Sequence, residues 1–185
     1  MRLPPLDEDR LDDDQRAVLA ALRAGPRGAG VGLVGPFGVW VRAPAVGGPT
    51  QALGAAVRYA TSLADDVREV AICTVGAHYH ARFEFAAHRA LAEQAGVAAA
   101  ALERLREGNA PGFDGAQDLA WRVARSLLEQ HRLDDTLYAE AGATFGEAGL
   151  VELVTTIGYY CLVSLTLNAF DVPLTAAMAD PWPAD

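Results

Sequence analysis

The apolar side chains of this chain recur mostly with the period of an α-helix. From residue 51 onward they return every three or four positions, and the strict alternation of a half-buried strand is not found. We therefore expect an all-α fold, and the many short helices favour an orthogonal helical bundle over a simple up-and-down bundle. The pattern predicts helices over residues 51–63, 67–79, 80–95, 97–107, 115–131, 134–142 and 147–170.

The first fifty residues have a less regular pattern. Pro4 and Pro5 block a helix, which predicts an extended arm over residues 1–12, and a helix is expected to follow over residues 12–24. Six glycines and two prolines between positions 25 and 38 indicate a loop. The Gly-Gly-Pro run that begins at Gly47 is expected to end this irregular part of the chain.

Length and composition predict one domain over residues 1–185. The arm, first helix and loop would occupy residues 1–46, and the helical core would occupy residues 51–172. Hydrophobic residues make up 51% of the 185 positions, which suffices for a sizeable core. The formal net charge of −9 argues against nucleic acid or an anionic membrane as a partner, since both require a basic face.

The two cysteines and the first residues indicate a cytoplasmic protein. Cys73 and Cys161 form no CxxC pair and no zinc pattern, and both lie in apolar helices, where a small core residue is expected. The opening segment lacks the apolar core of a signal peptide. The uncharged stretch 153–170 approaches the length of a membrane span, but its Thr, Ser and Asn residues favour a buried core or interface helix.

The residues with most chemical interest lie between positions 78 and 88. Three of the four histidines, His78, His80 and His88, fall in this segment. Glu84 and His88 are four residues apart and are predicted to share a helix face, with His80 one turn earlier on the same face. A carboxylate beside an imidazole raises the pKa of the imidazole, and such a pair can transfer a proton.

Each of these residues also has a plainer interpretation. Glu84 and His88 could form an ordinary surface pair, and Glu69 fits a capping box with Asp66 as the N-cap. A metal site is not predicted, because His80 and His88 would lie about 12 Å apart along one helix. His78 could equally be a core or interface residue.

Two segments resemble a known family. Residues 68–72 (Arg-Glu-Val-Ala-Ile) and 83–88 (Phe-Glu-Phe-Ala-Ala-His), followed by Gly96, are similar to the carboxymuconolactone decarboxylase and alkylhydroperoxidase superfamily. The resemblance implies an all-helical homo-oligomer, a trimer or hexamer, with sites near subunit contacts. The peroxidase branch has a CxxC pair that would fall on Ala81 and Glu84, whereas the decarboxylase branch has the Glu-x-x-x-His pattern seen at Glu84 and His88.

The resemblance therefore implies a cysteine-independent, cofactor-free acid–base enzyme of the decarboxylase-like branch. Its substrate would be a small carboxylated or carbonyl-bearing molecule, and its reaction a decarboxylation, an isomerisation or a cyclisation. Two alternatives stay open: a peroxidase-related antioxidant protein and a non-catalytic ligand-binding oligomer. The candidate catalytic residues are His88, Glu84 and Glu69, and the candidate substrate contacts are His78, His80, Arg82 and Tyr159.

Overall fold

A computed structural model of the chain describes residues 1–183, and all regular structure in that range is helical. The all-α prediction is confirmed. Ala184 and Asp185, the last two residues of the predicted domain, lie outside the described part. A short 3₁₀ helix, Glu8–Arg10, precedes α1 (Asp13–Ala24), α2 (Phe37–Trp40), α3 (Pro44–Tyr59), α4 (Asp65–His78), α5 (Arg82–Gln94), α6 (Ala99–Arg106), α7 (Gly115–Gln130) and α8 (Asp135–Ala169).

Contacts divide the chain into two compact units. The first consists of Met1–Ala60 and Thr166–Pro173, and the second of Thr61–Leu165 with the residues from Leu174 onward. The first unit contains α1 to α3, and the second contains α4 to α7 with most of α8. The single domain expected from length and composition stays a prediction.

The first unit has a small apolar core around α1. Asp12 and Gln15 form a reciprocal capping box that starts this helix, close to the predicted boundary. The buried face of α1 packs against apolar residues that precede and follow this helix in the sequence. The core cluster contains Leu11, Val18, Leu19, Leu22 and Val41.

The start of α3 differs from the sequence prediction. The helix begins at Pro44, whose missing N–H costs nothing in the first turn, and it continues through Gly47, Gly48 and Pro49. A Cβ at Gly47 would lie 2.1 Å from the carbonyl oxygen of Trp40, so glycine is required there by packing and does not mark a loop. The prediction that this run ends the irregular stretch was wrong.

Helix α4 is the centre of the second unit. Every residue from Val67 to Gly76 is buried, and the helix packs against α5, α6 and α7. A Cβ at Gly76 would lie 3.3 Å from the backbone nitrogen of Phe85, so the glycine allows α4 and α5 to approach closely. This close approach brings side chains of the two helices together.

Helix α8 contains a break at Gly146, which has φ 70° and ψ 174°. The sequence predicted two helices with a gap around this residue, and the positive φ of the glycine accounts for the break. By length and composition α8 could cross a membrane, with a mean hydropathy of 1.6 in its most apolar window. Half of the residues in that window are buried within the described chain.

Candidate active site

His88 lies between two buried carboxylates. Its Nδ1 is 2.5 Å from Oε2 of Glu69, and its Nε2 is 3.0 Å from Oε1 of Glu84. The exposed fraction is 5% for His88, 2% for Glu69 and 3% for Glu84. We call these three residues the acid–histidine trio. The surface-pair interpretation of Glu84 and His88 is therefore wrong.

Two helices supply the trio. Glu84 and His88 lie one turn apart on α5, as their spacing predicted, while Glu69 comes from α4. The capping-box interpretation of Glu69 was wrong, because α4 begins at Asp65 with Ala64 as its N-cap and has no side-chain cap. Glu69 thus lies in the second turn of α4, buried against His88.

The trio holds a proton on His88. Burial alone would lower the pKa of His88, but the carboxylates of Glu84 and Glu69 outweigh it and raise that pKa to about 9. The ring is therefore an imidazolium at neutral pH, with Nδ1–H donating to Glu69 and Nε2–H directed at Glu84. Among the described residues Oε1 of Glu84 has no well-aligned hydrogen bond, although it is buried.

Arg68 extends the buried charges of α4. Its Nη2 is 2.6 Å from Oδ1 of Asp65, and its Nε is 3.9 Å from Oε1 of Glu69. The side chain is only 9% exposed. Arg68 places a second cation beside Glu69, which partly offsets the cost of burying two carboxylates next to each other.

Two tyrosines of α8 form an aromatic wall. The ring of Tyr160 meets the ring of His88 edge-on, with centroids 4.9 Å apart, and Tyr159 packs edge-on against Tyr160 at 5.2 Å. Both tyrosines are buried. Tyr159 is the predicted substrate contact, whereas Tyr160 is the tyrosine whose ring touches His88. No local signal distinguishes the two, since they are adjacent and the contact is long-range.

His80 and Arg82 lie away from the trio's contacts. His80 precedes α5, has φ 47°, and packs against the ring of Trp182 with centroids 4.9 Å apart. The prediction that it shares a helix face with Glu84 was wrong, because α5 begins only at Arg82. Arg82 is half-exposed and forms an ion pair with Asp180.

His78 and His80 line a separate cleft in the second unit. The cleft has a volume of about 280 Å³ and lies beside the ends of α4 and α6 and the outer face of α7. Thr74, Trp121 and Arg125 are also in its wall, whereas the residues of the acid–histidine trio are not among those that line it. The two histidines predicted as substrate contacts are thus grouped together, apart from His88.

Neither cysteine is in a setting that produces a reactive thiolate. Cys73 is fully buried, and burial together with the carboxylates of Glu69 and Glu84 raises the pKa of its thiol well above the ordinary value. Burial also raises the pKa of Cys161, and a hydrogen bond with Tyr79 offsets this only in part. Within residues 1–183 no group of three or more His, Cys, Asp and Glu side chains is arranged to hold a metal ion.

The fold is similar to that of the debrominase Bmp8. The apo structure of Bmp8 superposes with a TM-score of 0.71 at 12% identity, over 94% of this chain and 91% of Bmp8. A Bmp8 variant with a cysteine replaced by alanine, in complex with 2,3,4-tribromopyrrole, superposes with a TM-score of 0.67 at 14% identity, over 96% and 93%. The likeness establishes the fold alone. No protein-family model and no curated protein matches the sequence.

Proposed function

We propose that the protein is an acid–base enzyme of the decarboxylase-like branch, acting on a small carboxylated or carbonyl-bearing molecule. The observation that carries the proposal is the acid–histidine trio, a protonated His88 held between two buried carboxylates. Strongly perturbed ionisable groups in a buried setting are typical of catalytic sites. A buried imidazolium can donate a proton to a developing carbanion.

The three residues have distinct roles in this proposal. In a decarboxylation the electron pair of the broken C–C bond stays on the substrate carbon as CO2 leaves, and the Nε2 proton of His88 then goes to that carbon. Solvent returns one proton to His88 afterwards. Glu69 holds Nδ1–H and fixes the orientation of the ring. In an isomerisation Glu84, whose Oε1 lacks an aligned hydrogen bond, would first remove a proton that His88 later replaces.

The surroundings of the cysteines support acid–base chemistry over thiol chemistry. A thiol peroxidase requires a thiolate of low pKa with a resolving partner, whereas the pKa values of Cys73 and Cys161 are both raised. The positions that correspond to the CxxC pair are Ala81 and Glu84. The carboxylate of Glu84 is paired with His88, whose Nε2 lies 3.0 Å from Oε1. The peroxidase-related alternative therefore has less support than the acid–base proposal.

The fold is compatible with a small-molecule enzyme. A cysteine-to-alanine variant of the Bmp8 debrominase, which has this fold, forms a complex with 2,3,4-tribromopyrrole. We extend only the class of ligand, a small organic molecule, to this chain. A cytoplasmic location and a homo-oligomer, trimeric or hexameric, remain part of the proposal, as do His78, His80, Arg82 and Tyr159 as substrate contacts.

The test is proton exchange by the purified protein in D2O. A panel of small β-keto acids, unsaturated lactones and enolisable carbonyl compounds is followed by NMR for CO2 loss or for deuterium incorporation at carbon. We expect turnover of at least one compound by the wild type and about a hundredfold loss in His88→Gln, the range of general acid contributions. His131→Asn is the matched control, because His131 is exposed and has φ 62°, which Asn tolerates.

Three results would contradict the proposal. Turnover that survives His88→Gln at the wild-type rate would remove the imidazole from the mechanism. Turnover that disappears in the double variant Cys73→Ala/Cys161→Ala, with His88 unchanged, would favour the thiol alternative. Binding without any turnover across the panel, unaffected by His88→Gln, would favour the non-catalytic ligand-binding protein.

A further inference from the structure

The cleft that His78 and His80 line has room for a small molecule. We call it the α7 cleft, because α7 supplies one of its walls. Its volume of about 280 Å³ is near the lower end of the range for small-molecule sites. Ala77, Leu105 and Leu128 add apolar surface to its lining, and no member of the acid–histidine trio belongs to that lining. The α7 cleft is therefore a concave site of its own within the second unit.

An aromatic ring and a guanidinium lie side by side in the wall of the α7 cleft. The indole of Trp121 is half-buried, and Cζ of Arg125 lies 5.6 Å from the centroid of that ring. Nε of Arg125 donates a hydrogen bond of 2.8 Å to Glu129, whereas its two Nη groups make no hydrogen bond within the described chain. A guanidinium with open Nη groups matches the two oxygens of a carboxylate. The uncovered part of the indole offers a surface for a flat ring.

The acidic side chains of the α7 cleft are already paired. Glu107 accepts a hydrogen bond of 3.2 Å from Nδ2 of Asn109 and lies 3.5 Å from Nη2 of Arg106. Glu129 is paired with Arg125. The two acids and the two arginines of the lining thus cancel each other, in a chain whose net charge is −9. An anionic ligand meets less repulsion here than over most of the protein surface.

The two imidazoles of the α7 cleft add further hydrogen-bond donors. The ring of His78 meets the ring of Tyr79 edge-on at 5.0 Å, and the ring of His80 packs against Trp182 at 4.9 Å. Neither ring makes a hydrogen bond to the rest of the described chain. An imidazole has at least one N–H in either protonation state. Together with the Nη groups of Arg125, these N–H groups favour an anion over a cation as the ligand.

The C-terminal segment holds two residues of the lining in place. Trp182 packs against His80, and its Nε1–H donates a hydrogen bond of 3.2 Å to the carbonyl oxygen of Arg106. Nη1 of Arg106 in turn donates a hydrogen bond of 3.1 Å to the carbonyl oxygen of Pro181. All four residues belong to the second unit. The wall is therefore fixed before any ligand arrives, and a preformed site loses less entropy on binding.

We propose that the α7 cleft is a binding site for a small aromatic carboxylate, separate from the acid–histidine trio. The ring of the ligand lies against the indole of Trp121, and the Nη groups of Arg125 bind its carboxylate. His78 and His80 donate further hydrogen bonds to the ligand. The inference goes beyond the proposed function, because it concerns binding alone and does not require proton transfer by the trio.

The first experiment compares probes that differ in charge or in aromaticity. Benzoate, benzamide, benzylamine and cyclohexanecarboxylate are each titrated into the full chain by isothermal titration calorimetry. We expect saturable binding of benzoate, and binding about tenfold weaker for benzamide, which lacks the charge, and for cyclohexanecarboxylate, which lacks the flat ring. Benzylamine should not bind, because the acids of the lining are paired.

The second experiment removes the two main contacts one at a time. Arg125→Gln and Trp121→Leu should each weaken the binding of benzoate about tenfold or more. Arg132→Gln is the matched control for Arg125→Gln, because Arg132 is also exposed but does not line the α7 cleft. Circular dichroism verifies the fold of each variant. Since Arg125 is exposed, its replacement should leave the fold intact even if Trp121→Leu does not.

The third experiment locates the ligand by ¹⁹F NMR of the chain labelled with 5-fluorotryptophan. The chain has three tryptophans, so three signals are expected, and the Trp121→Leu variant assigns one of them. Benzoate should shift the signal of Trp121 most. The signal of Trp40, which lies in the first unit, should not move. A shift of Trp40 without a shift of Trp121 would place the ligand elsewhere and would overturn the proposal.

The other outcomes that overturn the proposal concern affinity. They are the absence of saturable benzoate binding, equal affinity for benzoate and benzylamine, and equal effects of Arg125→Gln and Arg132→Gln. Loss of benzoate binding in His88→Gln would place the ligand at the trio instead. We expect His88→Gln to bind benzoate as the wild type does, so a failed proton-transfer proposal would not affect this result.

Discussion

His80 and His88 are eight residues apart in the sequence and have opposite surroundings. His80 is exposed and its ring lies against Trp182, whereas His88 is buried with a carboxylate on each side. Both residues belong to the same histidine-rich segment, so the residue types alone do not distinguish them. The difference comes from α4, which lies beside α5 and supplies Glu69. An imidazole can hold a proton in a buried position only where a neighbouring element places a carboxylate beside it.

Replacement of the imidazole should give the largest difference between the two positions in the free energy of unfolding. His88→Leu leaves Glu69 and Glu84 buried without the cation between them, and loss of one member of a buried ion pair typically costs about 3–5 kcal/mol. The comparison variant His80→Asn removes an exposed ring at a position with φ 47°, which Asn tolerates, and should change the free energy of unfolding by less than about 0.5 kcal/mol. Urea denaturation of both variants measures the difference. Equal small losses would mean that the trio stabilises nothing.

Stability should also depend on pH through His88. The pKa of His88 is about 9 in the folded chain and about 6.5 in an unfolded chain, so the folded state binds the proton more tightly. The stabilisation of the folded state by this proton is on the order of 3 kcal/mol. It is fully present below pH 6.5 and is lost as pH rises through 9.

Replacement of a carboxylate tests the origin of that pH dependence. In Glu84→Gln the imidazolium loses one of its two anionic neighbours, and the pKa of His88 should fall. The pH-dependent loss of stability should then be smaller than in the wild type and should be complete at a lower pH. Urea unfolding between pH 6 and 10, together with NMR titration of the His88 ring, measures both quantities. A pH profile that is identical in the two proteins would contradict the assignment of the proton to His88.

Local sequence patterns predicted the elements but only part of the site. The four-residue spacing of Glu84 and His88 was sufficient to place both on one face of α5. The contact between Glu69 and His88 spans 19 residues and two helices, so no local pattern could reveal it. The capping-box pattern even favoured a different role for Glu69, because Asp66 precedes it by three residues.

Backbone conformation explains two other differences from the sequence prediction. The four-residue spacing of His80 and Glu84 predicts that both lie on one helix. The positive φ of His80 is not helical, and α5 begins only at Arg82. The glycines of α3 were interpreted as loop residues, whereas Gly47 is required by the carbonyl of Trp40. In both cases the residue type is compatible with two backbone conformations, and the surrounding backbone determines which one is adopted.

The buried thiol beside the trio should have a smaller effect. Cys73 lies one turn after Glu69 on α4 and is fully buried. Cys73→Ala removes one buried heavy atom and should reduce the free energy of unfolding by about 1 kcal/mol, while the pKa of His88 stays near its wild-type value. Urea unfolding and NMR titration of His88 give the two readouts, with Cys161→Ala as the half-buried control. A large fall in the pKa of His88 would mean that the thiol belongs to the proton network.

The smallest effect is expected at the exposed ion pair beside His80. Arg82 is 55% exposed and pairs with Asp180, and exposed pairs of this kind contribute between about 0 and 1 kcal/mol. Arg82→Gln should therefore alter the free energy of unfolding by less than the Cys73→Ala variant does, and the change should shrink further in high salt. If Arg82 instead holds a substrate carboxylate, as the sequence predicted, Arg82→Gln should raise the KM of any substrate found in the D2O screen without a change in stability. Comparison of KM with the unfolding free energy in this one variant separates a surface ion pair from a substrate contact.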